Sequence, residues 1–96
     1  MFALDKTESF NEWLNALKDK KGKARILARM TMAEQGNFGD VEPVGEGVSE
    51  MRIHVGPGYR VYFIKTDKTV ICLLCGGDKS DQQKDIKRAK EMARSL

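Results

Sequence analysis

Four side chains within a short stretch of this 96-residue sequence carry most of the chemistry on offer: Arg52, His54, Arg60 and Tyr62. Met51, Ile53 and Val55 alternate with Arg52 and His54, and Tyr59, Val61 and Phe63 alternate with Arg60 and Tyr62. A period of two marks strands, and Gly56-Pro57-Gly58 between them marks a turn. A three-residue loop predicts Val55 opposite Tyr59, Ile53 opposite Val61 and Met51 opposite Phe63, which gathers the apolar residues on one face. The same register sets His54 opposite Arg60 and Arg52 opposite Tyr62 on the other face, with no carboxylate between them. Opposed cations repel, so an anionic ligand is expected to compensate. Guanidinium forks match phosphate oxygens, and a tyrosine can stack on a base or donate a hydrogen bond. His54 is the single histidine and suits proton transfer near neutral pH. Lys79 follows the next strand and can point to the same face. A solvated sheet face with long cationic side chains lying flat is the plain alternative.

The elements that must position these groups are also legible. Residues 1–6 suit an edge strand. Phe10, Trp13, Leu14 and Leu17 give one helix its apolar stripe, with Ser9 and Glu12 as a capping box. Gly22 breaks that helix. Ala24, Ile26, Leu27, Met30 and Ala33 outline a second, ended by Gly36, so the two form an αα-hairpin. Residues 36–47 are rich in glycine and read as a loop with at most one short strand. Residues 69–76 are nearly all apolar, as a central strand covered on both faces would be. Ser80 and Gln83 offer another capping box for a last helix with Ile86, Ala89 and Ala93 as its stripe. The expected class is α+β in the order β-α-α-β-β-β-α. It is a small antiparallel sheet with an N-terminal αα-hairpin on one face and a C-terminal helix, forming a single domain over residues 1–96.

Charge and composition narrow the functions. The net charge is +3. Residues 1–48 hold 7 Lys/Arg against 8 Asp/Glu, and residues 49–96 hold 10 against 6, so the positive excess sits in the second half and suits an acidic partner. No run approaches the ~18 apolar residues of a membrane span. Asp5 and Lys6 come too early for a signal peptide, and a cytoplasmic address is expected. There is no phosphate-binding Gly-x-x-x-x-Gly-Lys loop, no dinucleotide fingerprint, no Ser-His-acid set and no carboxylate cluster for magnesium. A nuclease built on this sequence would work without a metal or other cofactor. Cys72 and Cys75 have C-x-x-C spacing. In a regular strand their thiols point to opposite faces, and two buried hydrophobes in a reducing compartment are expected.

Four stretches resemble the RelE/ParE toxin superfamily, and among its branches the HigB-like addiction module killer proteins. They are Gly36-Asn37-Phe38-Gly39-Asp40, the run from Gly45 to Ile53, the run from Gly56 to Phe63, and Leu73-Leu74-Cys75-Gly76-Gly77-Asp78-Lys79-Ser80. The resemblance spans nearly the whole chain. It implies a RelE-like fold and the toxin of a type II toxin–antitoxin module. It also implies a ribosome-dependent mRNA endoribonuclease that cleaves messages in the ribosomal A site through their own 2′-hydroxyl, without a metal. The resemblance matches Arg52, His54, Arg60 and Lys79 to catalytic positions, and Tyr62 of the hairpin face completes the expected catalytic set. The expected RNA-binding set is Arg52, Arg60 and Lys79 with Tyr59 and Lys65. The implied partner is a cognate antitoxin of the helix-turn-helix kind.

Two positions depart from the pattern. Gln82 and Gln83 stand where RelE-like toxins often have a tyrosine. The chain ends Ala93-Arg94-Ser95-Leu96 where other HigB-like members keep a histidine or aspartate. His54, and after it Tyr62, remain as candidates for the general base. Two other readings stay open: a ParE-like inhibitor of DNA gyrase without nuclease activity, and a non-catalytic antitoxin-binding domain.

Overall fold

The computed structural model describes all residues from Met1 to Leu96. Along the chain come strand β1 (Ala3–Lys6), helices α1 (Glu8–Ala16) and α2 (Lys20–Glu34), and strands β2 (Val41–Gly45), β3 (Val48–Ile53), β4 (Tyr59–Asp67) and β5 (Val70–Asp78). A 3-10 turn (Lys79–Asp81) then leads into helix α3 (Gln82–Arg94). The α+β class therefore stands. One sheet has the order β1-β5-β4-β3-β2; β1 runs parallel to β5 and every other pair is antiparallel. The glycine-rich stretch does supply a strand, β2, which closes the edge beyond β3.

Helix starts differ from the expected ones because shorter-range acceptors win. Thr7, not Ser9, caps α1: its Oγ1 accepts from the Phe10 amide at 3.0 Å. Asp19 caps α2 by accepting from the Gly22 amide at 3.0 Å, so Gly22 lies in the first turn of α2. Asp78 takes the Ser80 amide at 2.9 Å, which produces the 3-10 turn and delays α3 to Gln82.

The two sheet faces bury different sets. Phe10 and Leu14 of α1 and Ile26, Met30 and Ala33 of α2 pack on Met51, Ile53, Tyr59, Val61, Phe63, Ile71 and Leu73. Ala89 of α3, with Ile86 and Met92, packs on Val48, Tyr62, Cys72, Leu74 and Cys75. The strand β5 is thus covered on both faces, as its apolar run required. Trp13 lies so close over Gly76 that any Cβ there would overlap its ring.

The expectation for the cysteines is corrected. Tyr62 pairs with Cys75 but Phe63 with Leu73, so Leu74 is a bulge that shifts the alternation. Cys72 and Cys75 therefore share the α3 face. Both are buried free thiols, and burial pushes the Cys75 thiol up to about 11.

Candidate functional site

The β3–β4 hairpin keeps its predicted faces but not its predicted pairs. Ile53 faces Tyr59, Met51 faces Val61, and Ser49 faces Phe63, so the loop is five residues, 54–58. A shift of two residues leaves every side chain on its original face, which is why alternation alone cannot detect it. Turn geometry decides instead. The Val55 amide donates to the Ile53 carbonyl at 3.0 Å and the Gly58 amide to the Val55 carbonyl at 3.0 Å. Gly56 and Gly58 have φ of +55° and +81°, and Pro57 between them has no amide hydrogen to give a ladder.

Three corrections follow. His54 leaves the strand for the loop, where its side chain is 70% exposed and its Nε2 lies 2.6 Å from Asp40 Oδ2. Arg60 faces Arg52 rather than His54, and Tyr62 faces Glu50 rather than Arg52. The face also does contain a carboxylate: Glu50 is fully buried among these groups. Its Oε1 accepts from Arg52 Nε at 3.2 Å, and its Oε2 accepts from Tyr62 Oη at 3.0 Å and from Gln82 Nε2 at 2.9 Å. Arg60 Nε stands 3.6 Å from the same Oε2, beyond hydrogen-bond range, and has no partner. The charge that an external anion was expected to supply is partly supplied from within.

The predicted site residues consequently separate. Arg52 is held by Glu50, by Glu42, and by Asp40 at 3.9 Å, and hydrogen bonding to Glu50 first, then the charge of Glu42, holds its guanidinium ionised above the ordinary arginine range. Tyr62 is fully buried under α3, and burial together with the Glu50 charge pushes its phenol well above the ordinary range. As placed, it cannot stack on a base. Tyr59 lies on the opposite face, 4% exposed, where it donates to Asp19 Oδ2 at 2.7 Å. Lys65 sits five residues farther along β4, about 17 Å from Arg60 by strand rise. Its Nζ is 5.2 Å from the Phe2 ring centroid.

What remains together is His54, Arg60 and Lys79. These line one groove of about 340 Å³ with the loop residues Val55, Gly56, Pro57 and Gly58. Lys79 reaches it because its amide donates to the Gly58 carbonyl at 2.8 Å, which clamps the 3-10 turn to the hairpin loop. Outside the groove, Arg29 of α2 ties β3 to the loop before β2 by donating to the carbonyls of Arg52 and Phe38 at 2.5 and 2.9 Å. The hydrogen bond from His54 is the largest of several influences that hold the Asp40 carboxyl below the usual carboxylate range. The groove thus combines two cations, one of them only 11% exposed, with an imidazole oriented by a carboxylate. That combination can neutralise a phosphate and move a proton beside it.

Sequence reasoning missed Asp40, Glu50 and Gln82. Glu50 carried a usable signal: it shares the parity of Arg52, and a five-residue loop sets it opposite Tyr62. Asp40 lies in one of the family-like stretches and Gln82 where a RelE-like tyrosine often stands, but neither position told which partner it meets, since long-range packing brings both to the hairpin. No helix of the chain is long and apolar enough to cross a membrane.

Comparison with known proteins places the chain. An uncharacterized protein of Haemophilus influenzae (strain ATCC 51907 / DSM 11121 / KW20 / Rd) is 49% identical over 90 residues, which cover 94% of this chain and 91% of that protein. Residues 12–96 match the family described as Phage derived protein Gp49-like (DUF891), a match that takes in the second half of α1, all of α2, strands β2 to β5 and α3. The chain belongs to this Gp49-like family of phage-derived proteins.

Proposed function

We propose that the protein is the toxin of a type II toxin–antitoxin module of the RelE/ParE superfamily, on its HigB-like branch. In this reading it is a metal-independent, ribosome-dependent mRNA endoribonuclease acting in the cytoplasm, held in check by a helix-turn-helix antitoxin. Membership of the Gp49-like family, which is associated with RelE-like toxins, supports this reading. The observation that carries it is the groove in which His54, Arg60 and Lys79 converge.

In this reaction the 2′-oxygen of a nucleotide attacks the adjacent phosphorus and the bond to the 5′-oxygen breaks. The products are a cyclic phosphate and a free 5′-hydroxyl. One proton leaves the 2′-hydroxyl and one reaches the departing oxygen, so no redox partner is needed. Arg60 and Lys79 stabilise the charge that builds on the phosphate. His54 takes the proton from the 2′-hydroxyl, with Asp40 engaging one ring nitrogen so that the other is free, and solvent supplies the proton that reaches the departing oxygen.

The test is to induce the protein in cells and map RNA 5′ ends, with and without Arg60→Ala. Translation should stop and new 5′-hydroxyl ends should appear in messages for the wild type only. Intact messages with blocked supercoiling and DNA damage would replace this reading with the gyrase-inhibitor one. That second reading draws on the engagement of Arg52 and Tyr62 inside the protein, which leaves fewer groups free for catalysis.

A further inference from the structure

We infer that Glu50 is the positioning residue of the groove, acting on the reacting groups through Arg60 and through the start of α3. The inference rests on the nuclease reading and names the part that organises its site. Glu50 is on β3, is wholly inaccessible, and its four contacts join three elements: Arg52 Nε of its own strand, Tyr62 Oη and Arg60 of β4, and Gln82 Nε2 at the first residue of α3.

The geometry explains why one carboxylate is needed there. Arg52 and Arg60 face each other directly across β3 and β4. Two guanidinium groups so placed repel, and solvent screens this only in part, since the Arg60 side chain is 11% exposed and that of Arg52 27%. Glu50 lies against both and offsets it. Its two oxygens are unequally used. Oε1 is taken by Arg52, whereas Oε2 is filled by the Tyr62 hydroxyl and the Gln82 amide. Arg60 is therefore attracted to the carboxylate at 3.6 Å but not hydrogen-bonded through Nε, and the guanidinium is held beneath the groove it lines. The Gln82 contact adds the second link. Gln82 follows the turn Lys79–Asp81, so the same carboxylate fixes how far Lys79 stands from Arg60.

Catalysis by in-line displacement is sensitive to such placement: a misplacement of about 1 Å can cost about 100-fold in rate. Glu50→Gln keeps the shape and removes the charge. It should lower the single-turnover cleavage rate on programmed ribosomes about 10- to 100-fold while leaving half-saturation nearly unchanged. In an Arg60→Ala background it should add almost nothing, because the group it positions is gone. A purely structural Glu50 would lower both backgrounds alike, which would overturn the inference.

Arg60 Nε–H observed by NMR reads the same link without any substrate. It should be a single sharp signal in the wild type, since the carboxylate fixes the guanidinium without bonding Nε, and should shift and broaden in Glu50→Gln. An unchanged Arg60 signal would overturn the inference whatever the protein's activity. Should Glu50→Gln fail to fold, Gln82→Ala tests the second link at a partly exposed helix start, where a several-fold loss of cleavage that vanishes without Lys79 is expected. Equal losses with and without Lys79 would contradict it. Failure of the nuclease reading looks different: Arg60→Ala then cleaves as the wild type does, or neither cleaves.

Discussion

Arg52 and Arg60 are the same residue type, lie opposite each other in one hairpin and point to one face of the sheet, yet the fold uses them differently. Arg52 is surrounded by Asp40, Glu42 and Glu50, from the loop before β2, from β2 and from its own strand. Arg60 has Glu50 alone, at 3.6 Å, and opens into the groove shared with His54 and Lys79. Edge strand β2 makes the difference, because it brings carboxylates to one side of the pair only. A guanidinium with three carboxylates is a strut; one with a single distant carboxylate is available to a phosphate.

Breaking the pair at Arg60 should give the largest effect. Arg60→Ala is expected to lower message cleavage about 100- to 1000-fold, the loss seen when a donor to a developing charge is removed, with little change in thermal midpoint. Primer-extension assays at matched protein abundance check this. His54→Ala follows, with a loss of about 100-fold if the imidazole transfers a proton. Asp40→Asn should weaken cleavage less, because the ring keeps its place but loses its charged partner.

Arg52→Ala should do the reverse of Arg60→Ala. It strips Glu50 of its bonded guanidinium and frees Asp40 and Glu42 from their shared cation. The thermal midpoint should fall measurably, and cleavage per folded molecule should change least of all the arginine and histidine variants. Equal loss of cleavage from Arg52→Ala and Arg60→Ala in folded proteins would erase the distinction.

The smallest effect sharpens the comparison at the tyrosines. Burial first, then the bond to Asp19, pushes the Tyr59 phenol up to about 12, and Tyr62 is also displaced upward, by burial first and then by the Glu50 charge. The folded state therefore holds these protons more tightly than the unfolded chain. The stabilisation is complete below the ordinary tyrosine value of about 10 and is lost as pH rises towards the folded-state value. Spectrophotometric titration should show no phenolate near pH 10 and a rise only near pH 12 or on unfolding. A tyrosine ionising near pH 10 would mean that one of them is exposed after all.

Much of this arrangement was legible from the residues alone. Helical spacing placed Phe10, Leu14, Ile26 and Met30 in the core, and alternation assigned Met51, Ile53, Val61 and Phe63 to one sheet face. Alternation has a period of two, however, and cannot distinguish registers that differ by two residues. That blind spot misplaced His54 in a strand and hid Glu50 from its partners. The bulge at Leu74 defeated parity in the same way for Cys72 and Cys75. Arg60 and Lys79 met as expected because a short connection joins β5 to α3 and the Lys79 amide ties it to the loop. Asp40 and Gln82 reach the site from distant elements, by contacts that no local pattern encodes.

The central claim is that a phosphate meets Arg60 and not Arg52. NMR of arginine Nε–H groups during titration with a short RNA carrying a 2′-deoxy, uncleavable position tests it directly. The account predicts that the Arg60 signal shifts saturably, together with the Lys79 ammonium, while Arg52 stays where it is. A shift of Arg52 as large as that of Arg60, or a shift confined to Lys65 at the far end of β4, would contradict it.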